Sequence, residues 1–213
     1  MSGAGFDLAE IDRLLSTTRA VRRRLDLSRP VPRELLLDCI RLSQQAPTGT
    51  NAQHWRWVVV DEPDQRRRLA ELYARGIPLL EESAKSARDA QTKTVYDHAR
   101  DFASRIGEVP VLVVPCLEGR LPPDAPSVVV TTYYGSIYQA VWSFQLALRS
   151  RGLGSLFTTM HLAFEDEARE VLGLPPDVVQ TAMLPVAWTV GTDFRPARRP
   201  PPETITHWNR WQG

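Results

Sequence analysis

The chain has 213 residues and a mass of 24.0 kDa, which suits a single domain with a few additional segments. Hydrophobic residues make up 43% and charged residues 24% of it, values that are typical of a soluble globular domain and exclude the disordered and fibrous classes. Because the formal net charge is only +1, the overall charge favours neither nucleic acid nor an acidic membrane surface, and any recognition of anions must be local.

The N-terminal segment predicts a helix and no export. Leu8, Ile11, Leu14 and Leu15 recur at helical spacing. The segment is acidic, so it lacks the basic region of a secretory signal. No apolar stretch of the chain approaches the roughly 20 residues that a membrane-spanning helix requires. We therefore expect a cytoplasmic protein without a membrane partner.

The next elements are a helix, a loop, a strand and a helix. The first should begin at Val31-Pro32, where apolar residues at helical spacing follow a proline. Residues 47–51 are rich in turn formers and predict a loop, which runs straight into a buried strand over 55–60. Pro63 then begins a helix that should end near Arg75.

The middle of the chain is less regular. A polar stretch within about 76–108 has helix formers but a weak apolar stripe, and we predict that it is a mobile lid. A second strand is predicted over 109–114. Three prolines in 121–126 then predict a loop, because they forbid regular hydrogen bonding.

A long apolar helix should follow the proline loop. Its apolar positions match the i, i+3, i+4, i+7 template and are Ile137, Ala140, Val141, Phe144 and Leu148. Aromatic residues extend the apolar surface around it, namely Tyr133, Tyr134, Tyr138 and Trp142. The helix should therefore lie in the centre of the domain or at a subunit interface, and its aromatic content favours the interface.

The last third of the chain predicts a short helix, a strand and a tail. Acidic residues at 165–167 suit the first turn of a helix that ends at Gly173, and 181–191 predicts an inner strand. The tail over 192–213 is rich in Pro and Arg and cannot form a core of its own, so it needs a surface to lie on. Helices that alternate with three strong strands predict a layered α/β or α+β architecture.

Common catalytic signatures are missing from the sequence. It has no Gly-x-Gly-x-x-Gly after a strand, no Walker loop, no Gly-x-Ser-x-Gly and no Cys-x-x-Cys. The four histidines are scattered without metal-ligand spacing, so we predict no metal site. Cys39 and Cys116 each lie in an apolar run, which predicts buried thiols and no disulfide.

Two segments do stand out, Thr-Thr-Arg-Ala-Val-Arg at 17–22 and Ala-Pro-Thr-Gly-Thr-Asn-Ala-Gln-His-Trp at 46–55. Together they resemble the FMN-binding segments of the nitroreductase family, which has Arg-x-x-Arg and later Pro-Ser-x-x-Asn-x-Gln-Pro-Trp. Thr48 stands where the family has Ser, His54 where it has Pro, and Thr18 where it often has a second basic residue. The resemblance continues in 135–137, 140, 146–147 and 153–154, and in the Arg198-Arg199-Pro200 and His-Trp-Asn-Arg-Trp ending.

The resemblance implies a fold and an assembly. It implies an α+β, three-layer fold with a central, mostly antiparallel sheet flanked by helices, in one domain over 1–213. It also implies an intertwined homodimer with flavin sites at the subunit interface, in which the tail over 192–213 wraps the partner subunit.

The resemblance further implies that FMN is the cofactor. Arg19, Arg198 and Arg199 resemble a clamp for its phosphate, because a guanidinium can bind two oxygens of a dianion. Arg22 resembles the basic residue near N1 and O2 of the ring, where negative charge accumulates on reduction. Read from the residues alone, Arg22 with Arg23 and Arg24 could equally be a solvated helix end.

The other implied cofactor-binding residues lie in three short segments. Those of the loop would reach a flavin held mainly by the partner subunit, and a segment from Gly154 to Thr159 would bring backbone amides close to N5 and O4. The set is Ala20, Pro47, Thr48, Gly49, Asn51, Gln53, Ser155, Thr158 and Thr159. Asn51 could instead cap a turn.

The implied activity is the transfer of hydride from NADH or NADPH through flavin to a small organic acceptor, such as a nitroaromatic, a quinone or an activated alkene. Because the flavin carries the chemistry, no catalytic side chain is predicted. Two alternatives remain at this point. One is a flavin-consuming or natural-product-tailoring member of the same superfamily, and the other is a non-catalytic flavin-binding protein.

Overall fold

The computed structural model describes residues 5–87 and 89–212. Helices and strands alternate along this part of the chain. Its α-helices are α1 (Leu8–Thr17), α2 (Arg33–Ser43), α3 (Pro63–Arg75), α4 (Ile77–Ala84), α5 (Ala90–Ala103), α6 (Ser127–Ser150) and α7 (Glu165–Leu172). Its strands are β1 (Leu25–Asp26), β2 (Trp55–Val60), β3 (Val111–Glu118), β4 (Leu153–Ser155), β5 (Val178–Gln180) and β6 (Leu184–Thr189).

The six strands form one sheet in which every strand pair is antiparallel. The order is β1-β6-β3-β2, with β4 added to β6 and β5 added to β3. The longest pairing joins β2 and β3 over six residue pairs, from Trp55 opposite Leu117 to Val60 opposite Leu112. This sheet confirms the mostly antiparallel arrangement implied by the resemblance.

Strand β3 is buried on both faces and divides the core into two parts. Leu112, Val114 and Cys116 join the cluster that contains buried residues of α3, α5 and α7. The alternate residues Val111 and Val113 join the cluster of α2 and α6. Since successive side chains of a strand point to opposite faces, this alternation puts helices on both sides of the sheet. The three-layer prediction is confirmed.

The longer predicted elements agree with the structure, whereas the shortest strands were not predicted. The strand over 55–60 and the helices that begin near Pro32, Pro63 and Glu165 are present, whereas β3 extends beyond the predicted 109–114. Strands β1, β4 and β5 are two or three residues long, so their sequences carry too few positions for an alternating pattern. Their strand character comes from pairing with β6 and β3.

The segment predicted to be a lid consists mainly of α4 and α5. Helix α5 is anchored in the core, because Ala99, Phe102 and Ala103 are buried in it. Helix α4 has no buried residue. The lid therefore stays a prediction, and α4 is the part of the segment that the core holds least.

The tail begins beside the sheet and then runs over the surface. The ring centre of Phe194 lies 4.3 Å from the Cζ atom of Arg24 and 4.4 Å from that of Arg149. Further along, Trp208 and Trp211 are 76% and 80% exposed. None of the helices within 5–87 and 89–212 is both long and apolar enough to span a bilayer.

Candidate functional site

The first predicted segment lines a cavity rich in positive charge, which we call the arginine cavity. Its volume is about 340 Å³. It is lined by Arg19, Ala20, Val21, Arg22, Arg23, Arg24, His98, Asp193, Phe194 and Arg195. Of the described residues that line it, five are arginines and only Asp193 is acidic, so the cavity is suited to an anion.

The floor of the arginine cavity is built by close contact between two backbones. The Val21 N–H donates to the Ser155 carbonyl at 2.9 Å, and Ala20 forms a parallel bridge with the same residue. Gly154 permits this approach, because a Cβ atom there would lie 3.1 Å from Cβ of Val21 and 2.8 Å from Cγ2 of Thr189. Thus the structure brings two of the predicted segments together.

Arginine pairings decide which part of the tail reaches the cavity. Arg24 binds Asp193 at 2.6 Å and donates from Nε to the Val190 carbonyl at 2.8 Å. Arg19 donates to the carbonyl of Arg195 at 3.2 Å. As a result Arg195 lines the cavity, whereas the predicted clamp residues Arg198 and Arg199 are exposed and lie outside its lining.

Arg22 is half-buried and incompletely satisfied. Its Nε atom is buried and has no hydrogen-bond partner among the described residues, and burial lowers the pKa of its guanidinium. A buried donor without an acceptor is costly, so this position is suited to an acceptor supplied by a ligand. The cavity that contains Arg22 therefore fits a bound group with negative charge.

Tyr73 of α3 contacts Thr158 in the segment that follows β4, and the sequence did not predict this contact. Its phenol oxygen is 2.8 Å from Oγ1 of Thr158, and its side chain is only 3% exposed. Burial raises the pKa of the hydroxyl, so the phenol is neutral at ordinary pH. The sequence predicts this position only as part of a helix, and nothing in it marks the hydroxyl partner of Tyr73.

The remaining predicted residues of the glycine turn differ in exposure. The Ser155 hydroxyl is buried and accepts a hydrogen bond from Nε2 of Gln145 at 3.1 Å. Thr158 exchanges backbone hydrogen bonds with Met183 at 3.1 and 2.8 Å, and Thr159 is exposed. Ser155 thus belongs to the packing beneath the cavity, while the threonines lie nearer the surface.

The second predicted segment lines a separate cavity of about 280 Å³, which we call the loop cavity. Its lining comes from the loop, from Leu117 and from the start of α6, and consists of Thr48, Gly49, Thr50, Ala52, Gln53, His54, Trp55, Leu117, Val128, Val129, Thr132, Tyr133 and Ser136. Pro47 and Asn51 belong to the same loop and lie outside this lining. The two cavities share no lining residue.

The loop backbone is strained at three positions. Thr50, Asn51 and Gln53 have φ values of 53°, 56° and 49°, a region that residues other than glycine rarely adopt. Gln53 donates from its side-chain amide to Oδ1 of Asn51 at 2.8 Å, and the Gly49 N–H donates to Oγ of Ser136 at 3.2 Å. Such strain clusters at functional sites and is held here by contact with α6.

Most of the chain matches the model of a known family. The model of the nitroreductase family matches residues 15–188. This range includes the lining of the loop cavity, that of the arginine cavity except Asp193, Phe194 and Arg195, and all six strands except the last residue of β6. The chain belongs to the nitroreductase family.

Two relatives and one solved structure illustrate the match. A protein of Thermus thermophilus named NADH dehydrogenase is 27% identical over 204 residues, 89% of this chain and 91% of its own. A protein of Thermotoga neapolitana named iodotyrosine deiodinase is 26% identical over 199 residues, 92% of this chain and 96% of its own. A crystal structure of oxidised iodotyrosine deiodinase with FMN and 3-iodo-L-tyrosine shares the fold, with a TM-score of 0.69, 24% identity and coverage of 93% and 98% of the two chains.

In this nitroreductase-family chain, His98 lines the arginine cavity and His54 the loop cavity, whereas both cysteines and His161 lie outside the two linings. Cys39 and Cys116 are free and buried, as predicted, and burial raises the pKa of Cys116 to about 12. His161 is fully buried, away from both cavity linings. Among residues 5–87 and 89–212, no group of three or more His, Cys, Asp or Glu side chains could hold a metal ion.

Proposed function

We propose that this chain is an FMN-dependent NAD(P)H oxidoreductase that reduces a small organic acceptor, with a nitroaromatic, a quinone or an activated alkene as the preferred classes. The observation that carries the proposal is the arginine cavity, where the buried Nε of Arg22 has no hydrogen-bond partner in the described part of the chain and lies beside four further arginines. Membership of the nitroreductase family and the FMN in a structure of the same fold support it.

The arginines of the cavity would have different roles in holding the cofactor. Arg19 and Arg195 are available for the phosphate, since neither guanidinium has an acidic partner among the described residues and both line the cavity. Arg24 is already paired with Asp193 and instead fixes the tail. Arg22, which is more buried, would face the ring and stabilise the negative charge that develops there. Arg198 and Arg199 would join the clamp if the assembled tail brings them to the cavity.

Bound FMN supplies the redox chemistry, by accepting hydride from NADH or NADPH and passing it to the acceptor. The residues of the chain bind and orient the reactants, so we propose no catalytic acid or base. The relative named NADH dehydrogenase supports a nicotinamide donor. The hydroxyls of Thr48, Thr158 and Thr159 and the amides of Asn51 and Gln53 can serve the ribityl chain and the polar edge of the ring.

A homodimer is part of the proposal, because one chain holds the two predicted halves of the site in separate cavities. Helix α6 exposes Val128, Tyr138 and Trp142, and the tail exposes Trp208 and Trp211. Exposed apolar and aromatic side chains of this kind are typical of protein interfaces. In the dimer the loop of one subunit would complete the arginine cavity of its partner. A cytoplasmic location and the absence of nucleic-acid or membrane partners stay predictions.

A second candidate function is the reductive removal of a halogen from a halogenated aromatic compound. It is favoured by the Thermotoga relative and by the solved structure, both named iodotyrosine deiodinase. Incubation of the FMN-loaded protein with 3-iodo-L-tyrosine and a reductant distinguishes the two candidates. If iodide is released faster than any nitroaromatic, quinone or activated alkene is reduced, this function replaces the oxidoreductase proposal.

The decisive experiment is an absorbance spectrum of the purified, FMN-loaded protein before and after anaerobic NADPH or NADH. We expect the flavin absorbance to bleach and to return when a quinone or nitroaromatic is added. Irreversible loss of flavin absorbance under oxygen would indicate the flavin-consuming alternative. Bound flavin that NAD(P)H does not bleach would indicate a non-catalytic flavin-binding protein.

A further inference from the structure

Helix α5 contributes one described residue, His98, to the lining of the arginine cavity. The other described lining residues come from 19–24 and from 193–195. His98 therefore brings a third segment to the cavity, one that is distant in the sequence from the other two. Its side chain is half-buried, so part of the ring remains accessible to a ligand.

The packing of α5 fixes the direction of His98. Phe102, one turn further along the helix, is 6% exposed and belongs to the core cluster that contains Val21. Residues four apart in a helix lie on the same face. The face of α5 that carries His98 is thus turned towards the segment 19–24, and burial of Ala99 and Ala103 holds the helix in this position.

The imidazole of His98 is available to a ligand. Its neighbour Asp97 pairs with Arg100 at 3.2 Å, and no hydrogen bond within the described part of the chain involves the His98 ring. A neutral imidazole donates one N–H and a protonated imidazole donates two. The ring can therefore offer a donor to a group bound in the cavity.

The charges around His98 decide which kind of group it can bind. The charged residues that share the described lining with it are Arg19, Arg22, Arg23, Arg24, Asp193 and Arg195. Asp193 is paired with Arg24 at 2.6 Å, so its carboxylate is already engaged. Helices α3 and α4 also pack against α5 but add no residue to the described lining, and Asp97 and Asp101 of α5 are exposed outside it. A ligand that faces His98 here is therefore an anion.

We infer that the protonated imidazole of His98 is a further ligand of the FMN phosphate, so that FMN binds more tightly when this ring is charged. The inference rests on the proposed function. Histidine changes its charge near neutral pH, and a phosphate dianion beside the ring favours the charged form. A hydrogen bond between two charged groups is also stronger than one between neutral groups.

The test is the dissociation constant of FMN for the apoprotein at pH 6 and pH 8, in the wild type, His98→Gln and His98→Lys. Proteins are compared at the same pH, because the phosphate itself titrates with a second pKa of about 6. At pH 6, His98→Gln should bind FMN about three- to tenfold more weakly than the wild type, the scale of one charged hydrogen bond. At pH 8 the difference should shrink to less than about twofold, since the wild-type ring is then mostly neutral.

The lysine variant and two controls separate charge from packing. His98→Lys carries a fixed charge and should bind FMN more tightly than the wild type at pH 8. Riboflavin lacks the phosphate, so its dissociation constant at pH 6 should be the same for His98→Gln and the wild type. Lys93→Gln removes an exposed cation of α5 outside both cavity linings and should retain the wild-type affinity for FMN. Should His98→Gln fail to fold, the contrast between the wild type and His98→Lys at the two pH values still decides the question.

The outcomes keep this inference distinct from the proposed function. A wild-type protein that does not bind FMN would overturn the proposed function, and this inference with it. If the wild type binds FMN and NAD(P)H reduces it, equal FMN affinities of His98→Gln and the wild type at pH 6 overturn the inference alone. An affinity ratio that is the same at pH 6 and pH 8, or an equal loss of affinity for riboflavin, would overturn it as well, because His98 would then act through packing or on the flavin ring.

Discussion

Arg19 lies at the surface of the arginine cavity and has no acidic partner among the described residues. Arg19→Ala should therefore weaken FMN binding by about 1.5–3 kcal/mol, the scale of a hydrogen bond to a charged group. Titration of the apoprotein, followed by flavin fluorescence, measures this change. Arg68→Ala removes an exposed arginine of α3 outside both cavities and is the matched control. Equal affinities for the two variants would exclude Arg19 from the clamp.

We expect His161 to make the stability of the fold sensitive to acid. Its ring is fully buried, neither nitrogen has a hydrogen-bond partner among the described residues, and burial lowers its pKa to about 4 from an ordinary value of 6.5. Between pH 6.5 and 4 the unfolded chain binds a proton at this residue that the folded chain does not. Stability should thus fall as the pH falls through this range, by at most about 1.4 kcal/mol per pH unit.

Urea unfolding of the wild type and of His161→Leu at several pH values isolates this contribution. The leucine variant should lose the part of the pH dependence between 6.5 and 4 that comes from His161. His54→Leu changes an exposed histidine and should retain the wild-type dependence. Parallel curves for the wild type and His161→Leu would show that the buried ring does not govern acid sensitivity.

At the scale of elements, strand β4 fixes the distance between the sheet and the segment 19–22. A Cβ atom on Gly154 would lie within 3.1 Å of atoms of Thr189, Leu25 and Val21. Gly154→Ala should cost about 1–3 kcal/mol of unfolding free energy, and Gly154→Val more, because the added atoms overpack a tight contact. FMN affinity should fall in the same order. A change of stability below about 0.5 kcal/mol in both variants would contradict this account.

Some elements could be predicted from the sequence and others could not. Helix α2 and strand β2 carry enough periodic positions to be predicted, and Gly173 ends α7 with a φ of 64°, as its position after Leu172 predicts. Strand β4 has three residues and could not be recognised. Tyr73 was predicted only as part of a helix, because its partner Thr158 is 85 residues away in the chain.

At the scale of the whole molecule, binding of FMN should depend on protein concentration. If two subunits share each site, dilution below the dimer dissociation constant should release flavin, since each chain alone holds only half of the lining. Sedimentation with detection at a flavin wavelength follows the dissociation of the dimer and the release of flavin together. Flavin that stays bound to a sedimenting monomer would contradict a shared site.

The tail gives a second test of the assembly. Trp208→Ala combined with Trp211→Ala removes the two exposed indoles and should raise the dimer dissociation constant at least about tenfold, because aromatic residues carry much of the energy of interfaces. Leu79→Ala, which changes an exposed apolar residue of α4, is the control and should leave dimerisation unchanged. Equal dissociation constants for the tail variant and the wild type would show that the tail does not wrap the partner.

The sequence by itself determined the class of fold, the long helices and inner strands, and the family, because these depend on periodicity and on motifs of a few neighbouring residues. Arg19, Arg22 and the loop around Asn51 could be singled out in this way. Only the tertiary structure decided that Arg195 and not Arg198 lines the arginine cavity, that Tyr73 meets Thr158, and that the two motifs lie in different cavities of one chain. These facts depend on contacts between distant residues, which are set by the packing of the sheet and helices and leave no local pattern in the sequence.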